Sequence, residues 1–334
     1  MGRFSDCTEI SPECPLEATI YGYHPNPVVN MICLIVFAIL FFIAVWQTYR
    51  HKTYSFGVAM ALGCMSEAIG YGGRLMLNKN PWDSNGFQIQ ICTLIIAPSF
   101  FTAAIYLTLK HLCLALGPHL SIIKPWLYTW IFISFDLLSL SLQGAGGALA
   151  ATGETESDKN MGAQIMLAGI VWQVVTLLAF GGMAGHFFWR LLGEGGRRMT
   201  VESQKVWGNT KFRRFLISLA ISFFVIFARC TYRIAEMAGG WANHIMQDEI
   251  SFVILEGVMC IIAALLLTIF HPGTHFPQMR TDYQKEVDQF SMVQPQQTVA
   301  SYVEVDRQPL IDGQRRDMEY RGGLEPAAIV PPAP

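Results

Sequence analysis

Glu67 and Arg74 stand seven residues apart in "SEAIGYGGR", and Arg229 and Glu236 stand seven apart in "ARCTYRIAE". The first pair reads acid then base, the second base then acid. Seven residues are about two helical turns, so each pair shares one helix face. Tyr71 lies between the members of the first pair, and Arg233 between those of the second. Asp136, Gln143 and Glu256 are further polar residues inside long apolar runs, as are Gln90 and Gln173. An ionised group in hydrocarbon costs several kcal/mol, so it faces the protein interior or water and marks a functional candidate. Carboxylates placed this way accept a cation such as an ammonium group. Arginines placed this way hold the acids or meet a phosphate.

The runs that carry these residues read as membrane helices. Of the 334 residues 52% are hydrophobic and only 14% charged, well below the charge of a soluble domain. Seven apolar blocks lie near 28–48, 54–77, 88–110, 125–149, 162–190, 212–236 and 250–271. Each is long enough to cross roughly 30 Å of hydrocarbon as a helix. Backbone in lipid must satisfy its own hydrogen bonds, and the runs lack the alternation of barrel strands. The fold class is therefore all-α: a seven-helix membrane bundle over 28–271, with an N-terminal tail over 1–27 and a disordered tail over 272–334. No cleavable signal peptide is visible, so the first helix should insert as its own signal.

Lys and Arg set the orientation. The loop at 190–214 holds seven of them, while 237–249 holds none and 150–161 holds one. Rich and poor loops alternate, which places the N-terminus outside and the C-terminus in the cytosol. Cys7 and Cys14 then share an oxidising external tail, where they either form a disulfide or remain two separate thiols.

Depth follows from the helical rise. Starting near Tyr54, Glu67 lies about 20 Å and Arg74 about 30 Å along the second span. Arg74 is expected to snorkel to the outer headgroups, whereas Glu67 cannot reach water through lipid. Arg229 falls level with Glu67, Arg233 lies higher, and Glu236 lies near the level of Arg74. Glu256, on the inward-running seventh span, returns to the level of Glu67. Asp136 sits near mid-depth with Gln143 above it. The expected substrate-binding residues are Glu67, Tyr71, Asp136, Gln143 and Glu256. The expected structural ion pairs involve Arg74, Arg229, Arg233 and Glu236. Two readings stay open: ion pairs that fix helix register, with Arg229 as partner of Glu67 and Glu256 competing for it, or a hydrated, outward-opening cavity for a polar headgroup.

Pro98 removes one backbone donor inside the third span and should free the carbonyl of Leu94. Gly181 and Gly185 are spaced for close helix packing. "DRQPLI" in the tail, with Asp306, Leu310 and Ile311, matches a short adaptor-binding sorting pattern. The chain has no phosphate-binding loop, no retinal-type lysine in the last span and no H-E-x-x-H. His186 and His271 fall at cytosolic helix ends, where an imidazolium favours the helix dipole. No enzyme activity, cofactor, metal or nucleic-acid partner is expected.

Several segments together carry a family resemblance. "YGYHPNPVVN", "GCMSEAIGYGGRLML", "QIQICTLIIAPSFFTAAIYLTLKH", "FDLLSLSLQGAGGAL", "ARCTYRIAEMAGG" and the closing "FHPG" resemble, in this order, the fungal RTA-like proteins, the lipid-translocating exporter family. The similarity spans roughly 19–275. Asn26 and Pro27 depart from the usual residues before the first helix, and Glu256 stands where relatives often carry Asp. The resemblance implies a fungal source and seven helices with an outside N-terminus; the expected location is multi-pass in the plasma membrane. It further implies efflux of sphingoid long-chain bases or other membrane-active amphiphiles, with membrane lipids and an amphipathic small molecule as partners. The alternatives are a seven-helix receptor or regulator of lipid asymmetry that moves no substrate, and a haem or porphyrin transporter.

Overall fold

The protein is described by a computed structural model covering residues 10–117, 120–153, 155–193, 201–239, 243–276 and 279. Cys7, the arginines at 197 and 198 and the tail pattern at Asp306, Leu310 and Ile311 lie outside the described residues. The chain divides into two units, Met1–Thr281 and Asp282–Pro334. The first unit holds every described helix and every candidate substrate-binding residue.

Helices account for nearly all the described chain: α1 (Pro27–His51), α2 (Tyr54–Lys79), α3 (Ser84–Leu116), α4 (Pro125–Thr152), α5 (Glu156–Leu192), a short α6 (Val201–Gly208) and α7 (Thr210–Ala238). The last long segment is composite: α8 (Glu249–Phe252), a π-helical turn (Val253–Val258) and α9 (Met259–Ile269), followed by α10 (Pro272–His275). Six of these segments are long and apolar enough to cross a membrane, the composite one included. The exception is α2, which at 26 residues has the length but carries Glu67, Arg74 and Lys79. It packs between α1 and α3, and both Glu67 and Arg74 are buried there.

Local chemistry sets the ends. Asn26 caps α1 by accepting from the backbone N–H groups of Val28 and Val29, with Pro27 at the first helical position. The departure from the family pattern thus supplies a well-formed helix start. Lys52 takes a left-handed φ of 52° and turns the chain into α2. Asp83, Asn209 and Asp248 cap α3, α7 and α8, and Thr155 with Asp158 forms a capping box at α5. The tail does not begin at Pro272: α10 folds there, and buried Phe276 packs on Phe212 and Phe215 of α7.

Small residues bring the helices close. A Cβ on Gly73 would come within 2.8 Å of the Gly86 carbonyl oxygen, so α2 and α3 touch backbone to backbone. Gly146 and Gly162 do the same for α4 and α5. Of the expected pair on α5, only Gly181 packs closely, against Phe223; Gly185 faces open space.

Candidate functional site

The intramembrane polar residues gather in three adjoining groups. The first is built by α2, α7, the π turn and α9. Arg229 donates to the carboxylate of Glu256 and, at 2.5 Å, to the carbonyl oxygen of Leu94. That carbonyl is free because Pro98, four residues on, has no N–H to offer it. Glu256 is carried by the π turn, a local helix irregularity often found at functional sites. Gly257 in the same turn leaves room for the Tyr71 hydroxyl, which would lie 2.8 Å from a Cβ there.

Glu67 is therefore not the partner of Arg229, as its level in the membrane suggests. Glu256 holds that arginine. Glu67 is fully buried, and neither carboxylate oxygen receives a hydrogen bond from an N–H or O–H group of the described residues. The Cys260 thiol, a weak donor, lies beside it. A fully buried carboxyl without a strong donor is rare in folded proteins and calls for an explanation.

The second group lies between α3, α4 and α5. Thr102 donates to Oδ2 of Asp136 at 2.9 Å, and Oδ1 has no partner among the described residues. Gln143 donates to Gln173 at 3.2 Å, which donates to Ser99 at 3.0 Å. The two groups meet at a void admitting about one water molecule, bordered by Gln143, Gln173, Arg229 and Arg233. The void at this place is smaller than the hydrated, outward-opening cavity of the second reading. The polar side chains are packed together, and several are left unsatisfied, including Nε and Nη2 of Arg233 and Oε2 of Glu256.

The third group forms a cap at the end of the bundle where the N-terminal segment arrives. Its depth suggests that Arg74 snorkels out, yet it is fully buried. Its Nε donates to Asn30 at 3.0 Å and its Nη2 to the Tyr23 hydroxyl at 3.1 Å. Its guanidinium carbon lies 3.8 Å from the Phe252 ring centroid and 5.4 Å from that of Tyr21. Glu249 approaches Arg74 at 3.9 Å while accepting from the Asn26 N–H at 2.6 Å. Headgroup contact is unnecessary because α1, α8 and the "YGYHPNP" segment already surround the charge. Burial raises both tyrosine hydroxyls above their ordinary range, so they stay neutral. Gln90 donates to Tyr21 at 2.7 Å, and Asn78 donates to the Pro25 carbonyl, strapping the segment onto α2 and α3.

Glu236 pairs within its own helix, accepting from Arg233 at 2.6 Å, rather than with Arg74. His271 is buried, and its Nδ1 accepts from the Gly273 N–H at 3.0 Å, so that nitrogen carries no proton. It caps α10 instead of countering a helix C-terminus as a cation. Cys14 is disulfide-bonded, while Cys7, its expected partner, lies outside the described residues. Asn30, Glu249 and Phe252 join the site without having been among the expected residues. A signal existed for Asn30, the one polar side chain between Val28 and Trp46.

Comparison with known proteins places this arrangement. The chain matches the family described as "RTA1 like protein" over residues 60–279. It is 29% identical to the protein named sphingoid long-chain base transporter RSB1 from Saccharomyces cerevisiae, covering 76% of this chain and 74% of that one. Protein RTM1 of Saccharomyces cerevisiae is 27% identical, covering 69% of this chain and 71% of the relative. Protoporphyrin uptake protein 1 of the same species is 27% identical, covering 64% and 67%. No solved structure matches the chain. The family match spans the polar groups from Glu67 to Glu256 and most of the helical bundle, and the chain belongs to the RTA1-like family.

Proposed function

We propose that this protein translocates an amphipathic lipid with a cationic headgroup, of the sphingoid long-chain base type, outward across the plasma membrane. The observation that carries this reading is Glu67, a buried acid with no basic partner of its own among the described residues. Arg229, Arg233 and Arg74 are engaged by Glu256, Glu236 and Glu249 respectively. An ammonium headgroup supplies the charge that Glu67 lacks. Asp136, whose Oδ1 is unpartnered, is a second acceptor deeper in the bundle, and Gln143 lies between the two groups. Glu256 is assigned to the ion pair rather than to the ligand, and Tyr71 to the wall beside Glu67. The name of the yeast relative supports the same substrate class.

The orientation follows the basic loops, with the N-terminus outside and the C-terminus cytosolic. Exposed Trp46, Tyr49, Tyr54, Trp126, Trp130 and Trp189 belong to helix ends on the basic side, as interfacial anchors would. No phosphate-binding loop occurs, so this chain does not hydrolyse ATP and transport draws on another gradient or on a partner.

A second reading, porphyrin transport, takes support from the uptake protein among the relatives. A porphyrin presents carboxylates, and the buried arginines already have carboxylate partners, so the cation reading is preferred. Purified full-length protein in lipid vesicles tests the choice. The expected result is translocation of a labelled long-chain amine and none of a neutral lipid or a porphyrin. Binding of the amine without movement would favour a receptor, and movement of porphyrin alone would favour the second reading.

A further inference from the structure

We infer that Glu67 is a proton-binding site: in this packing its carboxyl is a neutral acid, and its proton is exchanged for the cation the site receives. The geometry for this lies in the partners of its neighbours. Within electrostatic reach of Glu67 lie Cys33 from α1, Cys64 and Tyr71 from α2 itself, Arg229 and Arg233 from α7, Glu256 from the π turn and Cys260 from α9. The helix α3 brings no charged side chain to this level, and its Leu94 carbonyl is taken by Arg229. Arg229 and Arg233 are the nearby cations that would favour ionisation. Arg229 is bonded to Glu256, and Arg233 to Glu236. A second carboxylate beside the Glu256–Arg229 pair would leave the cluster one negative charge in excess, fully buried and without a strong donor. Such an ion costs several kcal/mol to hold in a low-dielectric interior, and a carboxyl in that position neutralises by taking up a proton.

The neighbours are also fitting for a group that changes charge. Cys260 and Tyr71 are weakly polar and can re-aim toward either form.

Exchange, unlike the proton itself, rests on the cation reading of the site. The amine arrives as an ammonium ion. The O–H bond of Glu67 breaks, the proton leaves to water, and the carboxylate formed pairs with the ammonium. One positive charge enters and one leaves, so the net charge of the site is unchanged. Movement of the lipid then runs against movement of a proton, which supplies a driving force that a chain without an ATP site lacks.

Infrared spectroscopy of the full-length protein in lipid vesicles tests the proton itself. At neutral pH the wild type should show the carbonyl stretch of a protonated carboxylic acid. Part of it should vanish in Glu67→Gln, shift in Glu67→Asp, and persist in Asp136→Asn. A wild-type spectrum without that absorption, or a Glu67→Gln spectrum identical to wild type there, overturns the proton site. Proton release on adding a long-chain amine in weak buffer then tests the exchange. Release that accompanies binding in wild type and is lost in Glu67→Gln supports it. Binding with no release overturns the exchange while leaving the cation reading intact. No binding at all overturns the cation reading, and the infrared band still decides the proton site.

Discussion

Arg229 joins Glu256 and the Leu94 carbonyl, and so ties three helical segments together at one atom. The pin holds α3 and α7 against the π turn and leaves Glu67 outside the pair. The bundle thereby distinguishes two acids that sequence position alone merges: Glu256, held in an ion pair, and Glu67, whose carboxylate oxygens accept no N–H or O–H hydrogen bond among the described residues.

Breaking the lock should unfold the bundle. Arg229→Met leaves Glu256 buried without its cation, a loss of about 3–5 kcal/mol. Thermal unfolding of detergent-purified protein should fall markedly. Adding Glu256→Leu to Arg229→Met removes the stranded charge and should recover much of the loss.

Glu67→Gln should behave in the opposite way. The amide is close in shape to a neutral carboxylic acid, so unfolding temperature and surface abundance should stay near wild type while transport is lost. A drop in stability comparable with that of Arg229→Met would show that Glu67 is an essential ion-pair partner.

The cap over Arg74 makes a separate prediction. Tyr23→Phe removes one hydrogen bond to the buried guanidinium and should cost about 1.5–3 kcal/mol. Arg74→Lys should be worse, because an ammonium cannot reach Asn30 and Tyr23 together while stacking on Phe252. Unfolding midpoints of the two variants give the order.

Helix contact through glycine is testable with a matched control. Gly73→Ala drives a methyl into the Gly86 carbonyl and the Gln90 backbone N–H, so α2 and α3 must separate. Gly182→Ala meets nothing within 4 Å. Folded yield should fall sharply for the first and hold for the second.

Pro98→Ala restores an N–H that competes with Arg229 for the Leu94 carbonyl. The protein should remain folded, since the Arg229–Glu256 pair survives. Hydrogen exchange over α3 should slow, because its ladder gains a bond.

Much of the bundle is legible in composition, because long apolar runs allow little but helices. The site is legible in part. Depth places Glu67, Arg229 and Glu256 at one level, and Pro98 points correctly to a free Leu94 carbonyl. Periodicity cannot decide which acid takes Arg229, since that depends on the π turn at 253–258, which shifts Glu256 around its helix. Arg74 escapes a sequence reading for a similar reason. Helical rise places it toward the end of α2, but the cover supplied by Tyr21, Tyr23 and Phe252 comes from distant parts of the chain. Long-range neighbours leave no periodic trace.

Whether Glu67 is the carboxylate that meets the cationic headgroup is tested most directly by efflux of a labelled long-chain amine. Cells expressing wild type or Glu67→Gln at equal surface abundance are compared with cells lacking the protein. Efflux no higher than in cells without the protein, from a Glu67→Gln variant that is fully folded, is the expected result. Efflux equal to wild type from that variant contradicts it.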